Sequence, residues 1–429
     1  GTSGASGESS AGGVSSEASS SGQEGGLSPE AGTFPLTEEK KELTVMIQDS
    51  ATIAPLDQNE FFKWYEEKTN VHINFIEVEA AAMVEQVNLM LMGGDYPDIM
   101  MCCGSSLGVD PALEVTYGSQ GVFLPLNDYI EKWGKETQEV FSLYEDMLPA
   151  AITAPDGNIY SLPNINDCYH CNNIGKIWIN QTWLDKLQLK TPTTTEEFRE
   201  VLRAFKEQDP NGNGKADEIA LMGAKSFGNN NPIVFLLNSF LYCPSHASTL
   251  YLDDSGKVTC AATQPEFREG LAYIKSLVDE GLLDASSFTQ TVDQLKQFGQ
   301  DPDAIKLGAY PGTNPTNITG SIDGTPDQRT KNYVPLAPLV GPEGYQNTPV
   351  TGQPYYSGFF IITSACEEPE LAFRWADGLY SEEATLNSQV GLVDSGRVEV
   401  AEGDKGINGE QALWDNFPGK KTGADNTFR

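Results

Sequence analysis

Histidine is scarce in this chain, with three in 429 residues, and basic side chains are outnumbered by acidic ones. There are 27 Lys and Arg against 61 Asp and Glu, so 27 − 61 gives −34. Three imidazoles leave little general-base capacity. An acidic surface repels phosphates and anionic headgroups, which excludes nucleic acid or a membrane surface as the main partner. Seven cysteines, an odd number, do not form a disulfide framework. The longest apolar stretch, Ile233 to Tyr242, is interrupted at Asn238 and falls short of the ~18 residues of a membrane helix. A Gly-x-Ser-x-Gly elbow, a His-Glu-x-x-His pair and a phosphate-binding glycine loop followed by Lys are also missing.

Enough apolar material is present for a folded body: 39% of residues are hydrophobic and 10% aromatic. At ~150 residues per domain the length predicts two or three domains. The first 33 residues hold 19 Gly or Ser, no aromatic and no Lys or Arg. With Glu8, Glu17, Glu24 and Glu30 set aside, the other 396 residues still carry −30. Residues 1–35 therefore read as a flexible Gly/Ser-rich tether, of the sort that joins a lipid-modified N-terminus to a folded body. The start at Gly1, with neither Met nor a hydrophobic leader, reads as a mature or trimmed form.

Apolar periodicity marks the elements. Leu43 to Ile47 and Val71 to Val78 read as strands, with a helix between them capped by Asp57 and Glu60 and lined by Phe61, Trp64 and Tyr65. Ala80 to Met92 is helical and stops at Gly93-Gly94, and Asp98 to Cys102 is a further buried strand. That order implies right-handed βαβ units on a parallel sheet. Further on, Ile174 to Ile179, Lys306 to Tyr310 and Gly358 to Ile362 read as strands. Thr194 with Glu197 forms a capping box before Phe198, Val201, Leu202 and Phe205, and Gln181 to Leu187 is a short helix before it. Thr263 with Glu266 opens a helix with Phe267, Leu271, Ile274 and Val278 inward and Gly281 at its end. Ser364 with Glu367 starts another, carrying Leu371, Trp375 and Leu379. The pattern is two α/β bodies without an internal repeat.

Cys168 and Cys171 stand two residues apart in Cys-Tyr-His-Cys, a spacing open to a turn-spanning disulfide or plain burial. No second pair has zinc spacing, so a closed tetrahedral zinc site is not expected. Cys102 and Cys103 follow an apolar run and read as buried.

One stretch is more specific than the rest. In Asp209-Pro-Asn211-Gly-Asn213-Gly214-Lys215-Ala-Asp217-Glu218, oxygen side chains occupy loop positions 1, 3 and 5, Gly sits at 6 and a backbone carbonyl at 7. Alternate residues of a tight loop turn their oxygens inward, and Ca²⁺ takes six to eight of them. Position 12, where a bidentate Glu closes the regulatory form, is Ala220, so Asp217 and Glu218 must complete the shell. The metal ligands expected are Asp209, Asn211, Asn213, Lys215 by its carbonyl, Asp217 and Glu218. No base to activate water stands nearby, which makes the ion a structural clip. An Asn-Gly turn without metal is the alternative.

With these motifs in view, the chain resembles the extracellular solute-binding proteins, family 1, the lipoprotein substrate-binding components of sugar ABC importers. Trp64-Tyr-Glu-Glu-Lys-Thr69-Asn70-Val71 is similar to the family's W-x-E-x-x-T-G-I, with Asn70 for Gly. Gly93-Gly94-Asp95-Tyr96-Pro97-Asp98-Ile99 resembles S-G-D-x-P-D-I, and Asp156-Gly157-Asn158-Ile159-Tyr160-Ser161-Leu162-Pro163 resembles D-G-K-I-Y-G-L-P. Trp183 to Leu187 with Pro192-Thr193-Thr194 and Phe198 resembles W-L-D-K-L-G…P-T-T-x-x-E-F, preceded by Asn180 where Arg is frequent. Asp209 to Glu218 resembles D-P-N-G-N-G-K-x-D-E-I, and Pro369 to Trp375 resembles P-E-x-A-x-R-W.

The resemblance implies an α/β, two-lobed, periplasmic-binding-protein-like fold of type II, similar to maltose-binding protein, with a hinge. Lobe 1 takes residues 36–170 and 360–410, and lobe 2 takes 171–359 with the calcium loop at 209–218. The C-terminal segment 411–429 is expected to be incomplete, since the family continues for roughly a hundred residues further. The implied function is capture of an oligosaccharide without chemistry, delivery to ABC permease subunits, and display outside the cell as a lipid-anchored, monomeric lipoprotein. A peptide or other solute on the same fold is the alternative, and a glycoside hydrolase a more distant one.

A sugar site needs aromatic faces for apolar ring faces and amides or carboxylates for hydroxyls. Residues of those types beside Asn, Gln, Ser or Gly at strand ends are Asp49, Tyr117, Tyr169, Phe227, Asn229, Tyr310, Asn314, Tyr355 and Tyr356. Trp178 can serve either the site or the core. Trp64, Trp183 and Trp375 sit at helical core spacing and are assigned to packing.

Overall fold

A computed structural model describes residues 26–49, 55–79, 82–101, 109–166, 173, 175–225, 230–245, 249–320, 329–350, 355–394, 396–406 and 408–416. The chain divides into two compact units, residues 1–165 with 355–429, and residues 166–354.

In the first unit the chain runs β1 (Lys41–Asp49), α1 (Glu60–Thr69), β2 (Val71–Glu79), α2 (Met83–Gly93) and β3 (Ile99–Met101). Helices α3 (Pro111–Ser119), α4 (Asn127–Trp133), α5 (Lys135–Leu143) and α6 (Leu148–Ile152) precede β4 (Leu162–Ile165). After the second unit come β11 (Tyr355–Ile362), α13 (Pro369–Leu379), α14 (Glu382–Val390), β12 (Arg397–Val398) and β13 (Asp415–Asn416). The sheet order is β2-β1-β3-β11-β4. β1 pairs parallel with β2 and β3, while β11 is antiparallel to β3 and β4. The parallel pairing expected of β1, β2 and β3 is present, and β11 joins their sheet antiparallel. A long excursion through the other unit lets β11 enter from either direction, and an apolar run carries no sign of which.

Both faces of this sheet are covered, as near-continuous apolar strands require. Val45 and Ile47 turn to the face under α1 and α13, with Phe61, Tyr65 and Trp375; Met46 turns to the other, with Val87, Met100 and Ile361. Helix α1 is capped by Asn59, whose Oδ1 accepts from Phe61 N at 2.9 Å, not by Asp57. It ends at Asn70 with φ 58°, a left-handed conformation that Asn tolerates where a relative would carry Gly.

The tether expectation is shortened. Leu27 bridges Thr37, and Leu27 and Phe34 pack against the core, so residues 26–35 belong to the first unit. The expected boundary at 359/360 also moves: Tyr355 and Tyr356 pair with Ile165 and Asn164 of β4, so the first unit resumes at Tyr355.

The second unit contains β5 (Ile177–Asn180), α7 (Gln181–Lys186), α8 (Thr195–Glu207), β6 (Ile219–Leu221), α9 (Pro232–Leu237) and the hairpin β7 (Leu250–Leu252) and β8 (Val258–Cys260). Then follow α10 (Pro265–Asp279), α11 (Val292–Gly299), β9 (Leu307–Pro311), α12 (Thr316–Thr319) and β10 (Tyr333–Pro335). Its main sheet has the order β10-β5-β9-β6, with only β6 and β9 parallel. Helix α8 carries the expected Thr194/Glu197 capping box and buries Phe198, Val201, Leu202 and Phe205. Helix α10 has Gln264, not Thr263, as its cap and buries Gly270, Ile274 and Leu277, whereas Leu271 is 41% exposed. Phe267, Ile274 and Val278 pack on the core as expected, so Leu271 alone departs, and Gly270 lets Leu237 and Phe240 approach the helix backbone. Trp183 and Trp375 are buried, as their spacing implies, and Trp64 packs partly buried on the core.

Candidate ligand and metal sites

Strand register assembles the ligand candidates of the first unit. Phe360 pairs with Met101 and Ile362 with Ile99, so the chain preceding Phe360 runs beyond the C-terminal end of β3. Asp49 closes β1, and Asn164 and Ile165 close β4 opposite Tyr356 and Tyr355. Asp49, Asn164, Tyr355 and Tyr356 therefore lie at one end of one sheet, the carboxyl end of its parallel strands, where α/β folds bind ligands. Asp49 is exposed, Tyr355 half-buried and Tyr356 52% exposed, with the Tyr356 ring 6.1 Å from that of Phe359. Tyr117, half-buried on α3, leans on Phe123 at 5.7 Å.

In the second unit, Ile177 pairs with Pro311 and Trp178 with Tyr310, so the start of β5 and the end of β9 share an edge. Trp178 donates from Nε1 to the Gly312 carbonyl at 2.8 Å and is partly buried. Asn314 accepts at Oδ1 from Thr316 Oγ1 (2.5 Å) and Asn317 N (3.1 Å), which ties it to the first turn of α12. Asn230, within the irregular stretch Ser226 to Asn231 that the sequence already offers as a ligand-bearing segment, is 8% exposed and donates to the Pro311 carbonyl at 3.0 Å. Its signal was its place between Asn229 and Asn231 just before a proline-started helix.

Tyr310 is corrected. It is wholly buried among Met222, Leu295, Ile318 and Tyr333, crosses the Tyr333 ring at 4.9 Å, and donates to the Pro315 carbonyl at 3.0 Å. All of β9 is buried, so its fourth residue has no free ring face. Tyr169, Phe227 and Asn229 lie outside the described residues, as do Cys102, Cys103, Cys168 and Cys171. A separate cavity between α1 and the edge strand β2, lined by Phe62, Glu66, His72, Asn74 and Trp375, holds none of the expected ligand residues.

The loop between α8 and β6 is wound around Asp209. Its carboxylate accepts from the backbone N–H of Gly212 (2.9 Å), Asn213 (3.1 Å) and Gly214 (3.0 Å), with Gly212 and Gly214 in the left-handed region. Asn211 and Asn213 each donate an amide N–H to Asp217 Oδ1 at 3.0 Å, which holds that carboxyl below the usual range. Lys215 N donates to Asn213 Oδ1 at 2.8 Å. Glu218 differs: burial, then the charges of Asp209 and Asp217, push its carboxyl up, and its Oε1 is buried without a hydrogen-bond partner. An orphaned carboxylate oxygen beside two further carboxylates fits a hard cation. Among the described residues no three His, Cys, Asp or Glu side chains converge on one point, so a cation here relies on amide and carbonyl oxygens as well.

Two α/β units with polar and aromatic residues gathered at strand ends define a two-lobed binding-protein fold of the maltose-binding type, matched in solved structures. The family model for bacterial extracellular solute-binding proteins matches residues 44–386, and the chain belongs to that family. A fructooligosaccharide ABC transporter substrate-binding protein, FusA of Streptococcus pneumoniae, is 33% identical over 359 residues, 81% of this chain and 62% of FusA. The chain thus spans less than two thirds of that relative. The structure of FusA with kestose superposes with a TM-score of 0.71 at 28% identity, covering 86% of this chain and 74% of FusA. A FusA EF-hand mutant with fructo-nystose gives 0.71 at 27%, over the same shares of both chains. An HMO-binding ABC-transporter-associated solute-binding protein from Bifidobacterium longum infantis also gives 0.71, at 25% identity, covering 85% of this chain and 72% of that one.

Proposed function

We propose that this chain captures a neutral oligosaccharide of the fructooligosaccharide class outside the cell and passes it to an ABC importer, performing no chemistry on it. The observation that carries the reading is the gathering of Asp49, Asn164, Tyr355 and Tyr356 at one sheet end in a chain 33% identical to a fructooligosaccharide-binding protein. Rings stack on Tyr355 and Tyr356, and Asp49 accepts hydrogen bonds from sugar hydroxyls; Tyr117 flanks them. In the second unit Trp178, Asn314 and Asn230 serve, with Tyr169, Phe227 and Asn229 proposed on sequence alone. The ligand is uncharged because 27 Lys and Arg are set against 61 acids. Closure of the two units on the ligand is part of the reading, and scattering with and without sugar tests it. Calorimetric titration with oligosaccharides, peptides and polyols tests the ligand class. Peptide-only binding overturns the sugar, and turnover of bound sugar overturns the absence of chemistry.

The reading includes a structural Ca²⁺ held by Asp209, Asn211, Asn213, Asp217, Glu218 and the Lys215 carbonyl. The buried, unpartnered Glu218 oxygen supports it, as does the existence of an EF-hand in FusA. The ion would neutralise three carboxylates and tie α8 to β6. The reading also takes the chain as a monomer on a lipid anchor at the N-terminus of its full-length precursor, which metabolic lipid labelling of that precursor tests.

A further inference from the structure

The side of α3 turned to the sheet carries a carboxylate that neither proposed site uses. Glu114 is 7% exposed, and its Oε2 accepts from Ser161 Oγ at 2.8 Å. Ser161, itself wholly buried just before β4, accepts at the same oxygen from Gly358 N at 3.0 Å. Gly358 has φ +71° and lies in the register shift between Tyr356 and Phe360 of β11. Two hydrogen bonds therefore run in one direction: Gly358 N–H to Ser161 hydroxyl to Glu114 carboxylate. Such a chain is cooperative, because a hydroxyl that donates to a carboxylate is polarised into a better acceptor.

The linkage reaches both aromatic groups of the first unit. Tyr117 follows Glu114 by three residues on α3, one helical turn away on the same side. One residue beyond Glu114's next turn, Gly118 sits against the Tyr160 ring so closely that a Cβ would lie 2.5 Å from it. Helix α3 is thus seated on the Tyr160-Ser161 pair at two successive points. On the strand side, the register shift at Gly358 sets how Tyr355 and Tyr356 pair with Ile165 and Asn164 at the end of the sheet.

We propose that Glu114 is a positioning residue of the candidate ligand site, holding the β11 bulge through Ser161 and so setting Tyr355 and Tyr356 relative to Tyr117. The proposal rests on the reading of those tyrosines as ligand residues. Glu114 Oε1 has no hydrogen-bond partner among the described residues, so the carboxyl is kept for what Oε2 does rather than for a paired charge. Burial first, and then the charge of Asp110 on its own helix, push the carboxyl up, while Ser161, a neutral hydroxyl before β4, opposes this. A buried group retained against that cost has a role apolar residues of the same volume would not fill.

The test uses the whole chain with kestose as probe, in Glu114→Gln, Glu114→Leu and Ser161→Ala. Backbone exchange in the peptide spanning 355–362, read by mass spectrometry, reports the bulge without any sugar. Glu114→Leu and Ser161→Ala should speed its slow amides about tenfold and weaken sugar binding five- to tenfold, each loss being near that of one hydrogen bond. Glu114→Gln keeps an acceptor oxygen and should preserve both. Ser161→Ala guards against misfolding of the leucine variant. Unchanged exchange in Ser161→Ala overturns the linkage. Faster exchange with unchanged affinity, while Tyr355→Ala does lose affinity, overturns the positioning role. If neither tyrosine variant loses affinity in a chain that binds sugar, the reading of the site fails, and the role with it.

Discussion

The guanidinium of Arg374 lies 4.5 Å over the ring of Trp133, and from there it donates to the carbonyls of Ser28 (2.7 Å) and Glu30 (2.9 Å). One buried cation thus fastens the segment before β1 to α13, and desolvation lowers its proton affinity, the charge of Glu370 opposing this.

Arg374→Ala should cost about 3 kcal/mol in chemical denaturation, from two charge-assisted hydrogen bonds and one desolvated cation–π contact. Arg374→Lys should recover less than half, since an ammonium cannot stack on Trp133 and hold two carbonyls. Limited proteolysis should then cut within 26–35. A change below about 0.5 kcal/mol would remove the clasp from the account.

Calcium at 100 times its Kd should stabilise the second unit by about 2.7 kcal/mol, and a chelator should reverse this in a thermal melt. Mg²⁺ should do far less, because it demands tight octahedral geometry. Glu218→Gln is the cleaner variant, as Asp209 also holds three backbone N–H groups of the loop. The pH dependence has a definite sign. The folded pKa of Glu218 is raised above 4.5, so without metal stability falls as pH rises from about 4.5 through the folded value. Saturating Ca²⁺, which binds the ionised form, should abolish that fall, as should Glu218→Gln without metal. A melt indifferent to chelator, Ca²⁺ and substitution would leave the loop a plain turn.

Tyr310 separates packing from recognition. Tyr310→Phe removes the hydrogen bond to the Pro315 carbonyl and should cost about 1 kcal/mol of stability while leaving sugar affinity unchanged. Tyr355→Ala and Tyr356→Ala should do the reverse, each lowering affinity about five- to tenfold. Loss of affinity in Tyr310→Phe at constant stability would restore it to the site.

These residues also mark what the sequence made legible. The Thr194/Glu197 box and the spacing of Phe198, Val201, Leu202 and Phe205 reached the right helix and face because every partner lies within one turn of the next. The loop oxygens of 209–218 were legible for the same reason. Tyr310 was misplaced because its burial depends on β10 and α12, which pack on it from elsewhere in the chain. The antiparallel entry of β11 and the exposure of Leu271 beside Gly270 likewise depend on partners that no local period encodes. Arg374 and Ser28 are 346 residues apart, and Glu114 and Ser161 are 47 apart, so neither linkage leaves a mark in a short window.

The central claim is reversible capture of a neutral oligosaccharide by a chain that does not alter it. Titration calorimetry of the Ca²⁺-loaded protein with kestose, followed by chromatography of the recovered sugar, tests it most directly. The account expects saturable one-to-one binding with a Kd in the micromolar range or below, about −8 kcal/mol or stronger, and intact kestose afterwards. No heat with kestose or longer fructooligosaccharides alongside a clear isotherm with a peptide, or recovery of cleaved sugar, would contradict it.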